Sequence, residues 1–201
     1  MACPKGRKGE NMIYSTERII ELWKRVNRPG VDELIEYLKG SDFFDAPCST
    51  QFHLAEPGGL AKHSLNVYDL LREKIERYAV DNVPEESIIV CGLGHDLCKA
   101  NFYGTAYRNV KENGRWIEKK VYVVNDQLPL GHGEKSAMLL QNYIKLTPDE
   151  QLAIRWHMTA FDPSIHFNYP NGYAFRAASK RPLVTLLFTA DYEASQIVET
   201  E

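Results

Sequence analysis

The chain lacks an apolar run that approaches the length of a membrane-spanning segment, so we expect no membrane contact. Its first residues are basic and lack the apolar core of a signal peptide, which predicts a flexible N-terminal end over residues 1–14 and a cytoplasmic protein. The formal net charge of −3 gives no global attraction to nucleic acid or to anionic lipid. An anionic substrate must therefore be held by local charge.

Cysteine is scarce, and its spacing argues against a disulfide framework and against a zinc knuckle. The four cysteines include no C-x-x-C pair. Cys91 and Cys98 lie seven residues apart in one apolar segment, which predicts core packing in a reducing compartment. At 201 residues the chain is long enough to bury a substantial core, so we expect one domain over residues 1–201.

Hydrophobic periodicity predicts that most of the chain is helical. Ser15 is a suitable N-cap for the first helix, and Thr147-Pro148-Asp149-Glu150 has the pattern of a capping box with proline at the first helical position. The predicted helices cover roughly residues 15–27, a short segment ending near 40, 60–75, 85–99, 132–143, 147–157 and 182–198.

Two segments depart from the helical period. Asn113-Gly114 lies between two runs with strand propensity, which predicts one β-hairpin over residues 105–124; an irregular surface loop is the alternative. The segment 159–180 is long and rich in Phe, Tyr, Pro and Asn. Loops of this length inside a compact domain are often functional.

The segment Ile88–Lys99 is apolar almost all round, yet it contains the adjacent pair His95-Asp96. A buried Asp is costly unless a positive group meets it. A metal ion between the two side chains satisfies both, and Lys99 lies three and four residues beyond them, on the same helical face. The alternative is a core histidine beside a hydrogen-bonded Asp.

Further polar residues lie on helical faces that should be apolar, at intervals of 25 to 36 residues. A helical bundle can bring such faces to one centre, which is how bundles build metal sites. Each residue taken alone fits a core position better than a ligand position, whereas the joint pattern predicts a metal centre. The residues are His63, His95, Asp96, His132, His157 and Asp191.

The order of these residues resembles that of the HD-domain superfamily of metal-dependent phosphohydrolases, whose signature is His, then His-Asp, then a distant Asp on a helical core. The matching segments are Gly58–Ser64, Gly94–Lys99 and Thr189–Asp191, and the resemblance covers roughly residues 57–195. It implies an all-α, HD-domain-like helical bundle with one inserted β-hairpin. The hairpin and the segment 159–180 are not part of the superfamily pattern.

The resemblance implies a metal-dependent phosphohydrolase or phosphodiesterase that acts on a nucleotide or nucleic-acid end through a metal-activated water. One ion would be held by His63, His95, Asp96 and Asp191. His132 and His157 are similar to ligands of the two-metal subgroups and would hold a second ion, with Asp96 bridging. Imidazole and carboxylate donors without thiolate suit Mn²⁺, Fe²⁺, Co²⁺, Ni²⁺ or Zn²⁺, with Mg²⁺ a further option.

Two side chains would act on the substrate phosphate. Asp96 would be catalytic through the ions, and Lys99 would bind the phosphate or stabilise its developing charge. The alternative for Lys99 is a lysine near a helix C-terminus that interacts only with the helix dipole.

The substrate would be a nucleotide or short oligonucleotide, contacted by the segment 159–180. In that segment the aromatic rings could stack on a base and the cations could meet phosphates; alternatively the rings pack the loop down and the charges are solvated. A non-catalytic, metal-containing protein that senses a nucleotide is the second functional hypothesis. The residues in question are Phe167, Tyr169, Tyr173, Phe175, Arg176, Lys180 and Arg181, while His53 and His166 are expected at the surface or pocket.

Overall fold

The computed structural model describes residues 8–159, 162 and 173–200. This part of the chain is mostly helical with one two-stranded antiparallel sheet, which confirms the α-rich chain with a hairpin. None of its helices is long and apolar enough to cross a bilayer. The elements are α1 (Lys8–Trp23), α2 (Val31–Gly40), α3 (Gly59–Arg77), α4 (Glu85–Gly94), β1 (Tyr103–Glu112), β2 (Arg115–Val124), α5 (His132–Gln141), α6 (Pro148–Trp156), α7 (Tyr173–Ala178) and α8 (Pro182–Glu193).

The first helix begins earlier than the sequence pattern predicts. The prediction of Ser15 as its N-cap is wrong, because α1 already starts at Lys8. Residues 8–14 of the expected flexible end are therefore helical, and residues 1–7 lie outside the described residues. Serine favours helix ends but costs little inside a helix, so one serine does not stop it.

The predicted helix over the His-Asp segment is shorter than expected. It ends at Gly94, with His95 as its C-cap, and Leu97–Lys99 form a separate 3-10 turn. The backbone amide of Cys98 donates to the Ser136 hydroxyl of α5 at 3.0 Å instead of continuing the helical ladder. The chain thereby leaves the helix axis immediately before Asp96.

Helices α3 and α4 approach each other closely because one helical position lacks a side chain. A Cβ atom built on Gly92 would lie 2.6 Å from the Cα of Tyr68. Helix α3 also packs on α8, and α6 packs on both α5 and α8, so the helices that carry the polar residues surround one centre. The closeness of α3 and α4 brings His63 and His95 within contact distance.

The end of the chain also differs from the prediction of one helix from 182 to 198. The α-helix ends at Glu193 and a π-helical turn, Ala194–Val198, follows. The backbone amide of Glu199 donates to the carbonyl oxygen of Ala194 at 3.0 Å, and the turn packs on α3. The wider turn directs Glu199 into the core, where its side chain is buried.

The predicted hairpin is confirmed. Strands β1 and β2 pair antiparallel from Tyr103 with Val124 to Glu112 with Arg115. Asn113 and Gly114 connect them with φ angles of 49° and 80°. Asn and Gly tolerate this left-handed region, and two such residues form the tight turn that matches strand twist.

Helix α6 begins with the predicted capping box, which extends into a buried ion pair. Thr147 and Glu150 make the reciprocal side-chain-to-backbone hydrogen bonds. The fully buried Glu150 carboxylate also accepts from both terminal nitrogens of Arg28, at 2.8 and 2.6 Å, and from the Ser87 hydroxyl at 2.6 Å. This cluster ties α6 to α4 and to the loop before α2.

We expect Arg28→Met to lower the free energy of unfolding by about 3–5 kcal/mol, because it leaves a buried carboxylate without its cation. Burial alone would raise the pKa of Glu150, but the hydrogen bonds from Arg28 and Ser87 hold it below its ordinary value. The wild type therefore loses the stabilisation from the ionised Glu150–Arg28 pair as the pH falls through that low pKa. In the variant, burial favours the protonated form of Glu150. Urea unfolding at several pH values should show that the free energy of unfolding of Arg28→Met is lower than that of the wild type near pH 7, and that this difference becomes smaller in acid.

The matched control is Arg77→Met, which removes an exposed pair with Glu73 on one helix. Its effect on the free energy of unfolding should stay below about 1 kcal/mol. Equal losses in the two variants would contradict a structural role for the Arg28–Glu150 pair.

Candidate metal centre

Three of the predicted ligands converge on one point from α3, α8 and the end of α4. His63 Nε2 lies 3.2 Å from His95 Nε2 and 3.2 Å from Asp191 Oδ1. His95 Nε2 lies 4.0 Å from the same Asp191 oxygen. Asp96 Oδ2 completes the group, at 3.5 Å from each of the two imidazole nitrogens.

The other nitrogen of each imidazole has a partner that can only accept a hydrogen bond. His95 Nδ1 donates to the carbonyl oxygen of Gly92 at 3.0 Å, and His157 Nδ1 donates to that of Ile154 at 2.7 Å. His63 Nδ1 lies 3.1 Å from both carboxylate oxygens of Glu199. When these rings are neutral, the proton stays on Nδ1 and the Nε2 lone pair is directed at the centre, as in metal-bound histidines.

The charges around this centre fit a cation. Burial lowers the pKa of His95 to about 4, so this ring is neutral at pH 7. Burial alone would raise the pKa of Asp191, but the hydrogen bond with His63 and the positive potential of the histidines lower it to about 2. The pKa of His63 lies well above its ordinary value: burial alone would lower it, but Cys48 and Asp191 outweigh that effect. The neutral His95 nitrogen therefore faces a protonated His63 ring at 3.2 Å with carboxylates on either side, and a bound cation would take the place of that proton.

A second group of donors lies on the opposite side of Asp96. Its Oδ1 atom is 3.5 Å from His157 Nε2. Both atoms are buried, and neither makes a hydrogen bond within the described part of the chain. Unpaired buried polar atoms are costly. An ion between them would satisfy both, so the pair fits a metal better than it fits a closed protein core.

His132, the first residue of α5, lies near Asp96 but beside a sulfur atom. One ligand atom from each of Asp96, Cys98 and His132 falls within a 4.8 Å group, and Cys98 Sγ is 3.2 Å from His132 Nδ1. The predicted ligand set contained no sulfur, because Cys98 was assigned to core packing on a continuous helix. The 3-10 turn presents it to His132 instead. Burial raises the pKa of the Cys98 thiol to about 12.

Lys99 lies beside the candidate metal centre, but not along the helical face that the sequence pattern predicts. Its Nζ atom is 2.6 Å from Asp96 Oδ2, through the 3-10 turn rather than along one helical face. The pKa of Lys99 lies well above its ordinary value: burial alone would lower it, but Asp96 and Cys48 outweigh that effect. Lys99 also lines a cavity over the centre, together with His53, Asp96, His157, Met158, Phe188, Asp191, Tyr192, Ser195 and Gln196.

Two neighbours of the centre come from the irregular loop before α3. Cys48 is buried, with its Sγ atom 3.2 Å from His53 Nε2 and 3.5 Å from Lys99 Nζ. Burial alone would raise the pKa of Cys48, but His63 and Lys99 lower it to about 7. His53 lines the cavity, in agreement with its interpretation as a pocket residue. Sequence reasoning missed Cys48, because a loop has no period that indicates which side chains are buried.

The outer partners of His63 were also missed. The Glu199 carboxylate accepts a hydrogen bond from Asn66 Nδ2 at 2.9 Å and also contacts His63. Asn66, Glu199 and His63 therefore form one hydrogen-bonded chain. Asn66, on α3, is half-buried. Glu199 lies just beyond the predicted last helix, and only the π-helical turn turns it inward.

The substrate-binding residues predicted in the segment 159–180 are not brought to this cavity. Tyr173, Arg176 and Lys180 are exposed on or just after α7, and none of them lines it. Arg181 pairs with Asp149 at 2.6 Å. Phe167, Tyr169 and His166 lie outside the described residues.

Comparison of the chain with protein-family models, with curated proteins and with solved structures finds no match.

We expect Glu199→Gln to weaken metal affinity about 10- to 100-fold while the fold is retained, because Glu199 orients His63 and increases its basicity. Competition with a fluorescent chelator measures this affinity directly. Rescue by Glu199→Asp should be partial, since the carboxylate is shorter but keeps its charge.

The control variant is Glu193→Gln, which alters a carboxylate that pairs with Lys74 near the same end of α8. Its metal affinity should match that of the wild type. If both variants lose affinity equally, Glu199 acts only on the packing of the C-terminal turn.

Proposed function

We propose that this protein is a metal-dependent phosphohydrolase with a two-ion centre of the HD-superfamily type, in an HD-domain-like helical bundle. The observation that carries the proposal is the orientation of three imidazole Nε2 atoms and two carboxylates toward one centre. Each of these imidazoles has its Nδ1 atom occupied by an acceptor. A histidine that only packs in a core has no need of this coordinated arrangement.

The two oxygens of Asp96 support a bridging role. Oδ2 lies beside His63 and His95, and Oδ1 lies beside His157. His63, His95, Asp96 and Asp191 would hold one ion, and Asp96, His132 and His157 the other. Bound Mn²⁺, Fe²⁺ or a similar ion would supply Lewis acidity, activating a water and neutralising phosphoryl charge.

Lys99 would bind the phosphoryl group of the substrate. It is protonated, it lines the cavity, and its nearest anion is Asp96, whose charge the ions would share. Its Nζ atom would then be available to a substrate oxygen on which negative charge increases in the transition state. Asp96 would hold both ions and would also position the side chain of Lys99.

The cavity supports a nucleotide or a nucleic-acid end as the substrate. Phe188 and Tyr192 form its aromatic border, with ring centroids 6.0 Å apart. Rings at this border could contact a base while the phosphate reaches Lys99. The exposed residues Tyr173, Arg176 and Lys180 stay a prediction for more distant parts of the substrate.

We expect the protein reconstituted with Mn²⁺ or Fe²⁺ to hold about two ions per chain after desalting. Asp96→Ala should lose most of both, because the bridge belongs to both positions. His157→Ala should retain about one ion, because the ligands of the other position are intact. Elemental analysis by mass spectrometry measures these ratios.

Loss of both ions in His157→Ala, or less than about half an equivalent in the reconstituted wild type, would contradict this division of ligands. A matched histidine control is His53→Ala, which changes a cavity residue outside the assigned ligands. Its metal content should equal that of the wild type.

We expect Lys99→Met to reduce kcat/KM for a nucleotide substrate about 10²- to 10³-fold while leaving the metal content unchanged. The measurement is a phosphate-release or product-chromatography assay over nucleotides, dinucleotides and a non-nucleotide phosphodiester, with Mn²⁺ present. Tight nucleotide binding without turnover of any of these compounds would instead support the non-catalytic, nucleotide-sensing alternative.

A further inference from the structure

The hairpin, residues 103–124, differs in charge from the rest of the chain. It contains five Lys or Arg and two Glu, whereas the remainder has nineteen basic and twenty-five acidic residues. The acidic protein therefore carries a cationic arm. At about 3.3 Å per residue, ten-residue strands extend about 30 Å from Tyr103 to the turn at Asn113-Gly114.

The strand register separates the hairpin into two different faces. Cross-strand partners share a face, so one face is defined by the pairs 103–124, 105–122, 107–120, 109–118 and 111–116. We call it the aromatic face. It carries four aromatic residues, Tyr103, Tyr107, Trp116 and Tyr122, together with Lys111, Lys120 and one acidic residue, Glu118.

The outer part of the aromatic face is open to solvent. Tyr107 is 69 % and Trp116 is 70 % exposed, and Lys111 and Lys120 are exposed as well. Tyr107 is paired with Lys120, and Trp116 with Lys111. Aromatic rings of this size are normally covered when their role is packing.

The inner end of the same face reaches the metal centre. The Tyr103 hydroxyl donates to the carbonyl oxygen of Cys48 at 2.9 Å. The thiol of Cys48 in turn lies 3.5 Å from Lys99 Nζ, at the cavity over Asp96. A chain molecule that lies along the aromatic face would therefore have one end beside the candidate active site.

We infer that the aromatic face of the hairpin binds single-stranded nucleic acid and leads its end toward the metal centre. The second half of this statement rests on the proposed function, whereas binding along the hairpin does not. Bases would stack on Trp116 and Tyr107, and the backbone phosphates would pair with Lys111 and Lys120.

The charge and spacing of the face favour this occupant. Each exposed ring is paired across the strands with a lysine, Tyr107 with Lys120 and Trp116 with Lys111. The two ring–lysine pairs are four residues apart along each strand, about 13 Å, which leaves room for a nucleotide between them. Stacking needs no base-specific hydrogen bonds, and lysines beside the rings can follow a phosphodiester backbone. A second copy of this hairpin would place like charges together, since Lys111 and Lys120 lie on the same face.

The first experiment measures binding of a fluorescein-labelled 12-nucleotide single strand by anisotropy, with metal removed by EDTA so that no cleavage occurs. Trp116→Ala should weaken binding about tenfold through the loss of one stacked base. Lys111→Ala with Lys120→Ala should weaken binding and lower the slope of log affinity against log salt by about 1.4.

The matched control is Arg108→Ala with Arg115→Ala, which removes the same charge from the opposite face of the hairpin. Its affinity should stay within about threefold of the wild type. Equal loss from both faces would reduce the inference to general electrostatic attraction and overturn it. No binding, or variants that match the wild type, would overturn it too.

A second readout reports stacking directly. Trp23 and Trp156 are buried, so quenching of indole fluorescence by the strand should come from Trp116 and vanish in Trp116→Ala. Binding of the aromatic face to anionic lipid vesicles without quenching by the strand would assign the face to a membrane surface and overturn the inference.

The two proposals fail separately. If the metal centre is inactive, strand binding in EDTA and its dependence on Trp116 should persist. If the hairpin does not bind nucleic acid, the Lys111 and Lys120 variant should match the wild type on the 12-nucleotide strand as well as on a mononucleotide. With both correct, this variant loses activity on the 12-nucleotide strand while retaining activity on the mononucleotide.

Discussion

The buried carboxylate of Asp96 is the constraint on which the centre of this protein depends. An ionised carboxylate removed from water costs several kcal/mol unless positive groups surround it. Lys99 supplies one partner at 2.6 Å, and His63, His95 and His157 approach its two oxygens at 3.5 Å. Because those imidazoles come from separate elements, the fold brings α3, α4 and the end of α6 together at this residue.

The break in the helix at Gly94 gives the centre its shape. Had α4 continued, His95, Asp96 and Lys99 would have followed one helical path, with Cys98 on the buried face. The 3-10 turn instead lets Asp96 present one oxygen to His63 and His95 and the other to His157. The same turn leads directly into the hairpin, so the cationic arm starts beside the centre.

Much of the fold and part of the centre could be predicted because they follow local rules. The α2 helix, the capping box at Thr147 and the hairpin turn at Asn113-Gly114 depend on residues a few positions apart. The polar residues on apolar faces, such as His63 and Asp191, were detectable because helical period identifies the buried side. Glu199, Asn66 and Cys48 were not, since they enter the centre through an irregular loop and a π-helical turn.

The sequence by itself determined where most of the helices lie, which tight turn joins the two strands, and that polar residues such as His63 lie on apolar helical faces. These properties depend on propensity, periodicity and the cost of burying charge. Only the tertiary structure decided which oxygen of Asp96 contacts which histidine and that a sulfur atom lies beside His132. It also decided that the inner end of one hairpin face lies near Lys99. These relations depend on distances between elements far apart in the chain, and side-chain packing sets those distances.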